Sequence, residues 1–295
     1  MDEIRYIAGL DRQFPHRLRD IPDAPSGIYF RGRLPDEERP AVAVIGSRNC
    51  SEYGRGMAKY FSDCLAGAGV QIISGMARGI DGIAQRAAID AGGETFGILG
   101  CGPDIIYPRE NSELFERILE KGGLISEVPP GTPADRINFP KRNRIISGMA
   151  DILLVIESRI KSGTGITVRY ALSQGKDVFA IPGRLTDAMS AGCNRLISEG
   201  AGIARDPEDI ISALKIRYSA VGTDKRAKKS DNSENLTLAG SEKVVYSLLD
   251  LYPKNIDEII SIGRITVPEA LEALLDLEIR GLACECGANS YIRKI

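Results

Sequence analysis

Residues 41–48 read Ala41-Val42-Ala43-Val44-Ile45-Gly46-Ser47-Arg48. Five apolar side chains in succession, closed by a glycine turn that carries a cation, decide the fold. A strand without apolar–polar alternation is buried on both faces, as in a parallel sheet covered by helices on either side. The same unit recurs further along. Apolar runs at Val70–Ile73, Thr95–Leu99, Leu124–Ser126, Ile152–Ile156 and Val178–Ile181 alternate with helical patterns near Ser51–Ala66, Asp81–Ala91, Asn111–Glu120, Pro140–Met149 and Gly165–Gln174. With right-handed crossovers, that alternation predicts an α/β, Rossmann-like, doubly wound and mostly parallel sheet. A shorter helix-strand-helix tail carries the pattern to Leu214.

Outside this region the texture changes. Residues 1–40 hold five of the fifteen prolines and read as an extended lead-in. The Rossmann-like domain is expected at 41–214. Residues 215–236 carry Lys225, Arg226, Lys228 and Lys229 among small polar residues, with little to bury, and read as a flexible linker. Ser241–Leu251, Ile256–Ile262 and Val267–Gly281 predict three short helices, and Leu282–Ile295 a hairpin turning at Gly287-Ala288-Asn289. Together they predict a small C-terminal winged-helix domain over 237–295.

Composition excludes more than it identifies. The chain has 295 residues, 43% hydrophobic and 26% charged, with a net charge of −2. Residues 41–214 hold 19 basic and 20 acidic side chains, and residues 237–295 hold 6 and 9. Affinity for a polyanion therefore has to come from a local patch. The charged start, Met1-Asp2-Glu3-Ile4-Arg5-Tyr6, is not a signal peptide, and no apolar run approaches the ~18 residues of a membrane span. A cytoplasmic protein is expected. The six cysteines show no metal-ligand spacing and read as reduced thiols. His16 is the only histidine and lies outside the main domain, which removes a Ser-His-Asp triad, a histidine metal site and a histidine base. No metal and no cofactor are expected.

Three strand ends combine glycine with polar residues ahead of a helix: Gly46-Ser47-Arg48, then Gly75-Met76-Ala77-Arg78-Gly79-Ile80-Asp81, then Ser162-Gly163-Thr164-Gly165-Ile166-Thr167. Glycine lets a ligand approach the backbone, and unpaired N–H groups at a helix start favour a phosphate. One such loop reads as a tight turn only. Three, two of them with arginine at the tip, predict an anion site. The P-loop spacing and the dinucleotide fingerprint are both missing. Residues 135–146 are the most informative, with Phe139, Lys141, Arg142, Asn143 and Arg144 at a predicted helix start. Arginine forks onto phosphate, and an aromatic ring stacks on a base. Arg48, Arg142 and Arg144 are expected to line one phosphate track. For Phe139, core packing and base stacking are equally good readings. Asp81 reads as a helix cap rather than a ligand contact, and Glu157 as structural, since no partner carboxylate accompanies it.

The ordered motifs Gly46-Ser47-Arg48, Ser74-Gly75 through Asp81, Leu99-Gly100 through Tyr107-Pro108, Phe139 through Ile146, Ser162-Gly163-Thr164, Pro182-Gly183 and Gly192 through Ala201 resemble those of the DNA-processing protein A (DprA, or Smf) family. The resemblance implies a Rossmann-like domain that binds single-stranded DNA in natural transformation, loads the RecA recombinase and forms a homodimer through that domain. By motif, the DNA site would comprise Gly46, Ser47, Arg48, Arg78, Gly79, Phe139, Lys141, Arg142, Asn143, Arg144, Ser162, Gly163 and Thr164. The sequence departs from the family in having no room for the N-terminal helical domain of many relatives. It also has Gln85 where histidine is common. Two other readings stay open. One is a nucleotide-cleaving hydrolase of the phosphoribohydrolase group, whose loop carries a glutamate that Ser162–Arg169 lacks. The other is a small-nucleotide sensor.

Overall fold

The computed structural model describes residues 3–218, residue 238 and residues 240–294. The chain divides into two compact units. The larger begins with β1 (Arg5–Ala8), α1 (His16–Arg19), β2 (Gly27–Gly32), β3 (Ala41–Ile45), α2 (Glu52–Gly67, from Met57 on), β4 (Gln71–Ser74), α3 (Ile80–Asp90) and β5 (Thr95–Leu99). It continues through α4 (Ser112–Lys121), β6 (Gly123–Ser126), α5 (Asn138–Gly148), β7 (Ile152–Val155), α6 (Thr164–Ser173), β8 (Asp177–Ala180), α7 (Ala191–Ser198), β9 (Gly202–Ile203) and α8 (Pro207–Lys215).

Its nine strands form one sheet of order β1-β2-β6-β5-β4-β3-β7-β8-β9. All seven strands from β6 to β9 in that order run parallel. The apolar run at 41–45 is the middle of the parallel set: every residue of β3 is buried, with β4 on one side and β7 on the other. The chain winds outward from β3 to β6, then returns through α5 and winds the other way from β7. This doubly wound arrangement puts the topological switch at the carboxyl ends of β3 and β7, where open α/β sheets bind ligands.

Asp151 pins the two halves together. Its Oδ2 accepts the Ala41 N–H at 2.8 Å and the Arg17 guanidinium at 3.1 Å, with Arg17 also donating to the Arg39 carbonyl at 2.7 Å. Buried charge of this kind is tolerated because each member is paired and hydrogen-bonded.

The expectation of an extended lead-in needs correction. Residues 5–32 contribute a β-hairpin that extends the sheet: β1 pairs antiparallel with β2, and β2 antiparallel with β6. Phe14, Leu18 and Ile21 enter the main core beside Ile145, Ile146 and Met149 of the α5 segment. Gly123 makes the joint possible. A Cβ there would sit 2.0 Å from the Arg33 carbonyl oxygen, so only glycine lets the β2 backbone approach.

In the smaller unit, α9 (Gly240–Leu248), β10 (Lys254–Asn255), α10 (Ile256–Gly263), α11 (Val267–Ile279), β11 (Ala283–Gly287) and β12 (Ser290–Arg293) follow. Three helices and an antiparallel sheet of order β10-β12-β11 close over Val245, Leu249, Ile259, Leu274, Leu277 and Tyr291. The three helices and the terminal hairpin fall where the sequence placed them. From residue 219 the linker expected at 215–236 lies outside the described residues. No helix among the described residues is long and apolar enough to cross a membrane.

Candidate nucleic-acid interface

The turns after β3, β4 and β5 meet the start of α5 around a cleft of about 280 Å³. Arg48, Asn49, Met76, Arg78, Tyr107, Phe139 and Arg142 line it, with backbone from Gly75 and from Leu99 to Cys101. The first two loops are zipped together below it. Ile80 N–H donates to the Ser47 carbonyl at 3.1 Å, and Ser47 N–H to the Glu157 carbonyl at 2.9 Å. Gly79 has φ +72°, and a Cβ on it would stand 2.3 Å from the Ser47 oxygen. This glycine therefore serves both the turn and the loop contact. The Ser47 hydroxyl is engaged in its own turn, donating to the Asn49 carbonyl at 3.0 Å.

Burial divides the expected cations into two kinds. Arg48, Arg78 and Lys141 are exposed, and Arg78 forms a surface pair with Glu110. Arg142 is 6% exposed. It donates to the Gly75 carbonyl at 2.7 Å and to the Ile98 carbonyl, bracing the ends of β4 and β5. Asp81, also buried, accepts the Gly75 N–H at 3.1 Å from the first turn of α3. It is neither the helix cap expected, a position Gly79 holds, nor a free ligand contact. Burial pushes the Asp81 carboxyl up, opposed by Arg142. Burial also draws the Arg142 guanidinium down to about 10, opposed by Asp81. At both ends desolvation outweighs mutual attraction.

Arg144 departs from the expected phosphate track. Its guanidinium forks onto both Glu127 carboxylate oxygens at 2.9 and 2.7 Å, and its Nε donates to the Asp23 carbonyl at 2.7 Å. It ties the lead-in to the segment after β6. Helical geometry explains this, because residues two apart on a helix face different ways. Asn143 is half-buried and accepts from Arg142 Nε at 3.3 Å.

Phe139 lines the cleft wall, is half-buried and is not among the buried core residues. Its ring stacks on Tyr107, 5.3 Å between centroids at 29°. The guanidinium carbons of Arg48 and Arg142 each lie 5.9 Å from its centroid. An aromatic platform beside cations is what a stacked base with flanking phosphates requires.

The third loop lies elsewhere. Gly46 is packed under the first cleft, with Ile80 and the Glu157 carbonyl too close for a Cβ. Ser162, by contrast, lines a second cleft of about 860 Å³ with Arg159, Lys161, Arg169 and Arg195. Its hydroxyl meets that of Ser158 at 2.8 Å, Gly163 is exposed and Thr164 buried. Sequence reasoning missed Tyr107, Met76 and the Gly100–Cys101 backbone as lining groups. Tyr107 stands in a recognisable Tyr-Pro motif, which was the available signal. The cations of the second cleft are dispersed over 159–195 and gave none.

A family model for DNA recombination-mediator protein A matches residues 5–215. Protein Smf of Escherichia coli K12 is 36% identical over 270 residues, 91% of this chain and 72% of that protein. DNA processing protein DprA of Streptococcus pneumoniae R6 is 40% identical over 208 residues, 70% of this chain and 73% of its own. The X-ray structure of DprA from Streptococcus pneumoniae superposes with a TM-score of 0.68 at 37% identity, covering 71% of this chain and 74% of that one. A structure of DNA processing protein A from Helicobacter pylori, described for its single-stranded DNA binding mode, superposes with a TM-score of 0.65 at 26% identity. It covers 74% of this chain and 100% of that one.

Proposed function

The chain belongs to the DNA recombination-mediator protein A family, and from that premise we propose that it binds single-stranded DNA without regard to sequence and without cutting it. The observation that carries this reading is the exposed Arg48 beside the Phe139–Tyr107 stack in one cleft at the strand ends. Phosphates would engage Arg48, Arg78 and Lys141, and a base would stack at Phe139. Arg142 and Asp81 would hold the cleft's shape. Ser162 to Thr164 would extend the path along the second cleft.

The non-catalytic part of the reading has its own support. Cys101 belongs to the lining of the first cleft, but its side chain is buried and burial pushes the thiol up to about 11, so it is a poor nucleophile at neutral pH. Glu157 is buried below the strand ends. The nucleotide-cleaving alternative requires a glutamate that the 162–169 loop lacks. Loading of the RecA recombinase, homodimerisation through the Rossmann-like domain and a cytoplasmic role in natural transformation complete the proposal. They rest on family membership.

The test is fluorescence anisotropy with labelled oligo-dT, competed by nucleoside monophosphates, with released base or phosphate assayed in the same samples. Tight oligonucleotide binding that monophosphates do not displace supports the reading. Stoichiometric product release abolished by a cleft substitution would overturn it.

A further inference from the structure

Helix α11 is apolar on two faces. Ala270, Ala273, Leu274 and Leu277 are buried in the small unit's core. On the other side Val267, Leu271, Leu275 and Ile279 are 54%, 49%, 58% and 75% exposed. Residues four apart advance about 40° around a helix, so these four form an outer stripe about 18 Å long and roughly a third of the circumference wide. Glu278 lies inside its arc at the C-terminal end, where its carboxylate accepts the Glu285 N–H at 2.7 Å. Ile262, at the end of α10, is 54% exposed as well. Singly exposed leucines need no explanation, but an ordered stripe does.

The stripe's border names its occupant. Glu269, Glu272 and Asp276 occupy the strip between the outer stripe and the core face, and α11 contains no basic residue. In a DNA-reading winged helix this helix enters the major groove, where such a border meets phosphates of like charge. An anionic membrane surface is disfavoured for the same reason. A second copy brings another segment of net charge −3 over 237–295, and an antiparallel two-fold pairing sets the Glu272–Asp276 borders against each other.

We propose that α11 docks a basic amphipathic helix of a partner protein, its leucine-type side chains seated on the Val267–Leu271–Leu275–Ile279 stripe and its lysines or arginines on Glu272 and Asp276. Apolar burial supplies the affinity, and charge complementarity selects the partner. The stripe shares no residue with the DNA cleft, and the proposal does not depend on that reading.

The full chain is titrated with a fluorescein-labelled peptide of about 16 residues made of leucine, lysine and alanine in helical spacing, and with its glutamate counterpart. The lysine peptide is expected to bind in about the micromolar range, to weaken with salt, and to bind at least tenfold more weakly to Leu271→Ser/Leu275→Ser. The glutamate peptide should not bind. Because Leu271 and Leu275 are exposed, circular dichroism of that variant should not change. Glu272→Lys/Asp276→Lys keeps the stripe and should reverse the peptide preference. Absence of lysine-peptide binding, equal binding to the Leu271/Leu275 variant, or an unchanged preference in the charge-reversed variant overturns the proposal. So does loss of self-association or of duplex-DNA binding in the Leu271/Leu275 variant, which would identify the occupant as a second copy or as DNA.

Discussion

A guanidinium holds a phosphate only through N–H groups that the protein has left unspent. Arg48 stands exposed at the cleft rim, whereas Arg142 is committed to the Gly75 and Ile98 carbonyls and Arg144 to Glu127 and Asp23. Arg48→Ala should therefore weaken oligo-dT binding and flatten the slope of log K against log salt by about 0.7, the release expected for one single-strand contact. Phe139→Ala should cost ~1–3 kcal/mol of affinity with little change of slope. An unchanged slope for Arg48→Ala, or a Phe139 effect confined to the slope, would reject the cleft as the DNA site. Arg142→Ala belongs to stability instead: it leaves Asp81 buried and uncompensated, at a cost of about 3–5 kcal/mol. Burial already pushes Asp81 up, and losing Arg142 pushes it further. The folded state then binds the proton more tightly than the unfolded state. The variant's stability should accordingly fall as pH rises through the raised carboxyl value and recover toward acid. Urea unfolding at pH 5 and pH 8 checks the sign, and a variant closer to wild type at pH 8 would refute it. The residues of this site were legible in sequence as a basic cluster at a helix start. Which cations were spent was not, because their partners Glu127, Gly75 and Asp23 lie 17 to 121 positions away.

At the scale of elements, the parallel strands were legible because each is a short, almost uninterrupted apolar run, and their positions agree with expectation to within a residue or two. The hairpin at the start was not. Its prolines hide the pattern, and β1 is largely exposed, so it shows no buried periodicity. What makes β2 a strand is tertiary: pairing with β6 from Gly123 onward, with Arg33 N–H donating to the carbonyl of the preceding Gly122 at 2.8 Å. Gly123→Ala should break this joint, because the new methyl meets carbonyl oxygen rather than a movable side chain. We expect destabilisation of about 3 kcal/mol, the upper end of the overpacking range. Faster amide exchange should be confined to β1, β2 and α1. A variant with wild-type melting temperature would show that the hairpin contributes nothing to the fold.

For the whole molecule the question is which unit holds the single strand. The apolar cores of the two units are distinct residue sets, and every residue lining the first cleft belongs to the larger unit. The sequence had already assigned the negative charge to the other end, with 6 basic and 9 acidic residues over 237–295. What it could not show was that the third glycine loop opens onto a different cleft, because strand order across a sheet is not written in local spacing. A chain ending at Tyr218 keeps that residue's hydroxyl bonds to Arg17 and Asp151, at 2.8 and 3.2 Å, and so keeps the clasp between β3 and β7. It should fold, by circular dichroism and cooperative melting. It should also bind oligo-dT within about threefold of the full chain, a difference under ~0.7 kcal/mol. At low salt it should bind slightly more tightly, since residues 219–295, of net charge −2, no longer repel the strand. A folded truncation that loses tenfold or more would transfer the principal DNA surface to the smaller unit. Phosphate contacts on such a surface would have to come from Arg264, Arg280, Arg293 and the lysines of the smaller unit, because α11 itself carries no basic residue.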